Sequence, residues 1–502
     1  MKRLVFAVAL VAASIAVAGE FKAGFSRVDI TPPLGSFMPG YYQDRYAKEV
    51  LDPLQINCVA FSDGKKTAVI QQYDTEGISD SVADLFRDAI VKATGIDRDA
   101  ILVHASHTHD GGYLAMKSGH GSSGGGDGVP SHATEIDELY VRHCVTRAAD
   151  AARQAIADLK PAKLSVGRSE AKRISFGRRY LMKNGKVATN PGTNNPDIVR
   201  AAGEADEQVQ VLRIDREGAK SVCVINFQTH PDVVGGETLT ADWPGLTRTV
   251  FEAATFGDAY CMVLNGTQGD VNHCNVQPRP GEMNGLKRDF DAVDRGYDHA
   301  KHMANVLAAA ALSVWMKCAP LEAGDVKCGV EIVKTPAHKA KETDAKNLAW
   351  AEDVWALHEK SEKAGVAGND GDFVTAKYGW KAMELTTEVA RAGRIRNMSK
   401  HADIHELPLT TIAIGKSVAF CGFPGEPFND IGKALKAKSP FALTMSSCLT
   451  NGSRGYFPYF DKAKESVCYD DGGYEFATSP FGETVAYDLI DGELRLLNAL
   501  VK

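Results

Sequence analysis

Short apolar runs alternate with longer amphipathic stretches through most of this chain, and that alternation decides its fold class. "TAVIQQYD" reads as a strand, and "SDSVADLFRDAIVKATG" as a helix with Ser79 at its N-cap and Gly95 as its stop. "AILVHAS" is a strand, followed by the long helical pattern "EIDELYVRHCVTRAADAARQAIADL". "SVCVINFQT" and "YCMVLNGT" are strands, separated by a helix that Pro244 opens, "PGLTRTVFEAATFG". "GYDHAKHMANVLAAAALSVWMK" is again helical, and "TTIAIGKSVAFCGF" is a hairpin turning at Gly415 and Lys416. The expectation is an α/β fold with a mixed β-sheet core and flanking helices. Residues 338–400 are charged, Ala-rich and helical in period, and read as a helical insertion. No segment of the sequence repeats another.

The chain has 502 residues, 44% hydrophobic and 24% charged, which is enough to bury a large core and ordinary for a globular protein. A net charge of −7, with no basic stripe, argues against a nucleic-acid partner. "MKRLVFAVALVAASIAVAGE" has a charged start, a short apolar core and an A-x-A ending at Ala18. Residues 1–18 therefore read as a signal peptide, and the rest as an exported, periplasmic or secreted, protein without a transmembrane segment. Ten cysteines include no C-x-x-C pair. Cys318 with Cys328, and Cys448 with Cys468, are candidate disulfides, and buried free thiols are the alternative. The Gly-rich stretch 118–132 lacks the Lys-Ser/Thr ending of a phosphate loop and reads as a loop near a site.

Four strands end in unusual polar chemistry. "ILVHAS" runs into His107, His109 and Asp110, and "CVINFQTHPD" ends in His230 and Asp232. "MVLNGTQGDVNHCN" ends in Gln268, Asp270, Asn272 and His273, and "VAFCGFPGEPF" ends in Glu426. Open α/β sheets build sites beyond the carboxyl ends of their strands. Two histidines and a glutamate converging there would be a zinc-type set with room for water. In an extended segment, His107 and His109 point to one side, so one ring can bind metal while the other works on water. His104, an odd number of residues away, reads as a core histidine. Asp74, Asp242 and Asp270 read equally well as orienting groups or as turn residues.

With these segments in hand, the chain resembles the neutral/alkaline non-lysosomal ceramidase family over nearly all of residues 23–490. "AGFSRVDITPPLGSFMPGY", "ASHTHDGG", "FQTHPDVVGG…LTADWPG", "GTQGDVNHCN", "FPGEPFNDIG" and the Tyr-rich "NGSRGYFPYFDKAKESVCYDDGGYEFATSPFG" follow the family's motif order. The resemblance implies one ceramidase-like hydrolase domain over 19–502 that cleaves an N-acyl amide with one Zn²⁺. It implies His107, His230, Glu426 and Tyr456 as the zinc ligands. It also implies His109, Arg178 and Tyr474 around the reaction centre. A structural Ca²⁺ or Mg²⁺, peripheral membrane contact and oligomeric state stay open.

Two departures qualify that expectation. Asn272 stands where the family's "GDVSPN" has serine; it has no nucleophilic hydroxyl but can still donate to an oxyanion. The chain also stops soon after the tyrosine segment, without the C-terminal β-domain of longer ceramidases, so its substrate need not be a long-chain membrane lipid. The HxHxDH pattern of metallo-β-lactamases fits worse, because Asp110 follows His109 directly. An amidohydrolase barrel fits worse too, because a strand-rich region precedes the HxH motif. An ester, sugar-linked or peptide-like substrate on the same fold remains, as does a non-catalytic ligand-binding protein.

Overall fold

The computed structural model describes residues 20–41, 44–115, 135–279, 296–338, 345–369, 371–398, 403–461 and 467–502. The signal-peptide reading and the Gly-rich stretch 118–132 lie outside them.

The α/β expectation holds, and it resolves into a motif used three times. In the first unit β1 (Lys22–Asp29), β2 (Gln55–Ser62) and β3 (Thr67–Tyr73) form an antiparallel meander. Helix α1 (Asp80–Thr94) then crosses over to β4 (Ile101–Ala105), parallel to β3, and α2 (Glu135–Ala157) returns to cover the sheet. The second unit repeats this with β5 (Lys160–Glu170), β6 (Gln208–Arg216), β7 (Ser221–Phe227), α3 (Asp242–Ala254), β8 (Ala259–Asn265) and α4 (Tyr297–Trp315). The strand β9 (Ala319–Leu321) then adds to β5. The third unit opens on β10 (Val326–Pro336) and carries an insertion of α5 (Ala345–Lys363), α6 (Phe373–Tyr378) and α7 (Ala382–Asn397), as the sequence suggested. It continues with β11 (Ile404–Ile414), β12 (Val418–Gly422), α8 (Asn429–Lys438) and β13 (Leu443–Ser447). The short helix α9 (Tyr474–Thr478) precedes the covering helix α10 (Val485–Leu500).

The first two units join into one nine-stranded sheet through a two-residue β1–β5 ladder, and the third forms its own four-stranded sheet. Strand alternation divides the core in a regular way. One face of each sheet turns outward to its own helices: Val103 and Ala105 to α1 and α2, Cys223 and Ile225 to α3 and α4, Ala419 and Cys421 to α8 and α10. The other faces meet in a shared central core, where Phe61 and Leu102 pack with Val224, Met262, Phe420 and Met445. Strands covered on both faces read as continuous apolar runs, as these do.

The helix signals act as expected. Ser79 Oγ accepts the Val82 N–H and Gly95 closes α1 in the left-handed conformation. Helix α3 begins at Asp242, two residues before Pro244. The hairpin between β11 and β12 turns at Gly415, φ 55°. The candidate disulfides are not formed; all ten cysteines are free thiols. No described helix is long and apolar enough to cross a membrane.

Candidate metal centre

The site lies beyond the carboxyl ends of the third and fourth strands of all three units. The segment after β4 brings His107 and His109, that after β7 brings His230, that after β12 brings Glu426 and that after β13 brings Tyr456. Glu426 and Tyr456 are paired by a short parallel ladder, Glu426–Pro427 with Tyr456–Phe457.

The two adjacent histidines meet for a different reason from the one their spacing suggested. His107 is not extended: its φ is 75°, a left-handed conformation that costs a non-glycine residue about 1 kcal/mol or more. Two bonds hold it there: the His107 N–H donates to the Thr75 carbonyl at 2.9 Å, and Nδ1 meets the Glu76 carbonyl at 2.7 Å. His230 Nδ1 lies 2.9 Å from the Gln268 carbonyl, and His109 Nδ1 lies 2.8 Å from that of Gly40. A ring nitrogen facing a carbonyl must carry a proton, so in the neutral form of each ring the lone pair lies on Nε2, towards the interior. A Cβ at Gly40, φ 97°, would sit 2.6 Å from His109 Nδ1, so glycine is what allows that approach.

The inward atoms form a tight cage. His107 Nε2 is 3.2 Å from His109 Nε2 and 3.3 Å from Glu426 Oε2, and His230 Nε2 is 3.2 Å from the same oxygen. Tyr456 Oη stands 3.5 Å from His230 Nε2. Ligands about 2.0–2.1 Å from a tetrahedral zinc are about 3.3 Å apart, so these separations match the edges of such a polyhedron. The nitrogen and oxygen donors suit zinc or a related ion. The three histidines are the group of metal-ligand type that stands out among the described residues.

Electrostatics separates the roles. Burial alone would lower the pKa of His107, but Glu426 outweighs it and lifts it to about 9. Burial and the neighbouring Arg178 push His230 down to about 4. Burial and the charge of His107 push His109 well below 6.5, leaving it a neutral base at pH 7. Burial raises the Tyr456 phenol well above 10, and Glu426 adds to the rise.

The remaining candidates surround this cage. Arg178 is buried, with Nε on Glu475 at 2.6 Å and Nη2 on the Gly269 carbonyl at 2.8 Å, and its guanidinium lies 5.4 Å from the Tyr456 ring centre. It therefore lies against Tyr456, close enough to His230 to act on its charge. Tyr474 stacks edgewise on Tyr456 with ring centres 6.0 Å apart. The Asn272 carboxamide bonds the Cys274 N–H and Asn190. Asp74 is fully buried and holds Arg248 through both oxygens, at 2.9 and 2.6 Å, so it belongs to the scaffold. Asp242 accepts the Val233 and Val234 N–H groups just after His230, and burial lifts its pKa to about 7. His104 is buried with both ring nitrogens bonded to backbone groups, as expected of a core residue. Two further residues, Arg45 and Gln268, to which the sequence assigns no role, also touch the cage. The Arg45 guanidinium bonds the His109 carbonyl and Asp110, and the Gln268 amide bonds Glu426.

Fold and cage define an α/β protein with a buried set of nitrogen and oxygen donors at strand ends, of a kind that could hold a metal ion. Among solved structures, the neutral ceramidase from Pseudomonas aeruginosa matches with a TM-score of 0.65 over 96% of this chain and 75% of that one, at 16% identity. A ceramidase complexed with C2 matches with a TM-score of 0.65 over 96% of this chain and 76% of that one, at 15% identity. The fold is thus that of the ceramidase catalytic domain. Neither a family model nor a curated protein matches the sequence.

Proposed function

We propose that this chain is an exported, zinc-dependent hydrolase of an N-acyl amide, ceramide or an amide like it. The carrying observation is the cage: three Nε2 atoms aimed inward by three backbone carbonyls, with Glu426 Oε2 at tetrahedral-edge distance from two of them. His107, His230, Glu426 and Tyr456 would hold the ion. When bound, it supplies Lewis acidity towards water and an acyl carbonyl.

The chain's own residues supply the rest. His109 enters as a neutral base, takes a proton from the attacking water at Nε2 and returns it to the leaving amine. Tyr474 and Asn272 are uncharged donors for the tetrahedral oxyanion. Arg178, held by Glu475, steadies Tyr456 through its ring. No serine nucleophile is required, so Asn272 does not exclude this chemistry.

The test joins metal content to turnover. Residues 19–502 are purified, bound zinc is measured, and fluorescent short- and long-chain ceramides are assayed with and without chelator. About one zinc per chain with chelator-sensitive fatty-acid release is expected. Zinc without cleavage of either substrate would move the reading to other acyl amides and esters. Absence of metal after reconstitution would end it.

A further inference from the structure

The turn Gln268-Gly269-Asp270 follows β8, and each of its residues holds part of the centre. The Gly269 N–H donates to the Pro427 carbonyl at 2.9 Å, and its own carbonyl accepts Arg178 Nη2 at 2.8 Å. A Cβ on Gly269 would lie 2.5 Å from the Glu426 carbonyl oxygen, so the turn presses directly on the ligand's backbone. Asp270 Oδ1 accepts the Asn429 N–H at 2.8 Å, at the start of α8, and the Asp270 carbonyl accepts the Arg178 N–H at 3.0 Å. Gln268 touches two cage residues at once. Its carbonyl takes His230 Nδ1–H at 2.9 Å, and its side-chain Nε2 donates to Glu426 Oε2 at 3.2 Å. It is fully buried.

We propose that Gln268 is a positioning residue that sets the metal affinity of this centre. The proposal rests on the metal-binding reading above. Glu426 has two chemically equivalent oxygens, and its terminal torsion is soft. Only Oε2 faces both His107 Nε2 and His230 Nε2, and it is Oε2 that the Gln268 amide holds. A neutral donor fixes that rotamer without placing a second charge beside the ion. The carbonyl of the same residue, nearer than that of Val271 at 3.1 Å, shares in selecting the tautomer and ring angle of His230. One side chain and one backbone carbonyl thus fix ligands from two different units of the fold, before any ion arrives.

The experiment uses the full chain with Gln268→Met, which keeps length and the backbone carbonyl but loses the donor. Gln268→Asn, one methylene too short to reach, is the second variant and stands in if the first does not fold. Metal-free proteins are titrated with Zn²⁺ against a chromophoric chelator, and Co²⁺-loaded samples give visible spectra. Melting is recorded with and without zinc. A rise in zinc Kd of about 10–100-fold is expected, with a changed Co²⁺ spectrum and a smaller zinc-induced rise in Tm. The metal-free Tm should stay near that of the parent, which a merely structural role for Gln268 would not predict. A variant Kd within threefold of the parent, with an unchanged Co²⁺ spectrum, overturns the proposal and leaves the metal reading standing. A parent chain that takes up no zinc overturns both.

Discussion

At the scale of single residues, His109 has one lone pair to give. Its Nδ1 is committed to the Gly40 carbonyl, so Nε2 can either ligate an ion or accept a proton. The proposed mechanism assigns it the proton. His109→Ala should therefore keep about one zinc per chain while kcat falls about 10²–10⁴-fold, the usual size of a general-base contribution. A zinc content that collapsed with the activity would instead make His109 a ligand, a role its 3.2 Å spacing to His107 also suits. The pH dependence of metal uptake follows from His107. In the metal-free chain its pKa is raised to about 9, so below pH 9 an entering ion must displace that proton. Zinc affinity should rise about tenfold per pH unit from 7 to 9 and level off above. His109 and His230, both pushed down, add nothing to that slope. A hundredfold rise per unit over the same range would mean that Tyr456 also gives up its proton on binding.

At the scale of elements, the strands and helices were largely legible in the sequence, because burial writes itself into apolar periodicity and caps have their own residues. Ser79, Gly95 and Gly415 each did what their chemistry demands. The loops were less legible. The sequence marks His107 and His109 as a pair, but the reason for their convergence is a left-handed turn held by the Thr75 and Glu76 carbonyls, and backbone acceptors leave no mark in a sequence. The orienting contacts of Gln268, a strand-end residue without an assigned role in the sequence, and of Arg45 are hidden for the same reason: an ordinary polar residue becomes an orienting group only through what the fold sets beside it. Helix α10 carries another such residue. Glu493 is buried, accepts a bond from the Thr411 hydroxyl, and burial lifts its pKa from 4.5 to about 7. Since the unfolded chain ionises first, this group costs stability that accumulates between about pH 4.5 and 7 and is fully present above 7. Glu493→Gln keeps the acceptor and removes the charge. It should stabilise the protein by up to about 3 kcal/mol at pH 8 and by nothing at pH 4. Denaturant unfolding at both values checks this, and an equal gain at both would rule out the electrostatic cause.

At the scale of the whole molecule, a triplicated motif underlies a sequence in which no repeat is visible. A shared topology asks only that the same positions be apolar, and Val, Ile, Phe and Met satisfy that interchangeably. In the segments after the strands the three units differ in kind, because they contribute different donors to one cage. The units meet along their fourth strands, and His104 ties them there. Its Nδ1 meets the Cys448 carbonyl at 2.7 Å and its Nε2 accepts the Asn265 N–H at 3.1 Å. The Cys448 N–H in turn donates to the Asn265 carbonyl at 3.0 Å. Burial holds the imidazole neutral, with a pKa lowered to about 4, so one tautomer satisfies both neighbours. His104→Ala would leave the buried Asn265 N–H without its acceptor, take from the Cys448 carbonyl one of its bonds (the Thr450 hydroxyl at 3.0 Å remains) and leave a cavity, costing about 2–4 kcal/mol. Because the central core is common to all three units, that loss should fall on the whole protein. Calorimetry and denaturant melts of the variant should show one transition, moved to lower temperature and lower denaturant midpoint with its m-value kept. A split into two transitions, one unchanged, would mean that the first unit melts alone and that the shared core does not bind the three together.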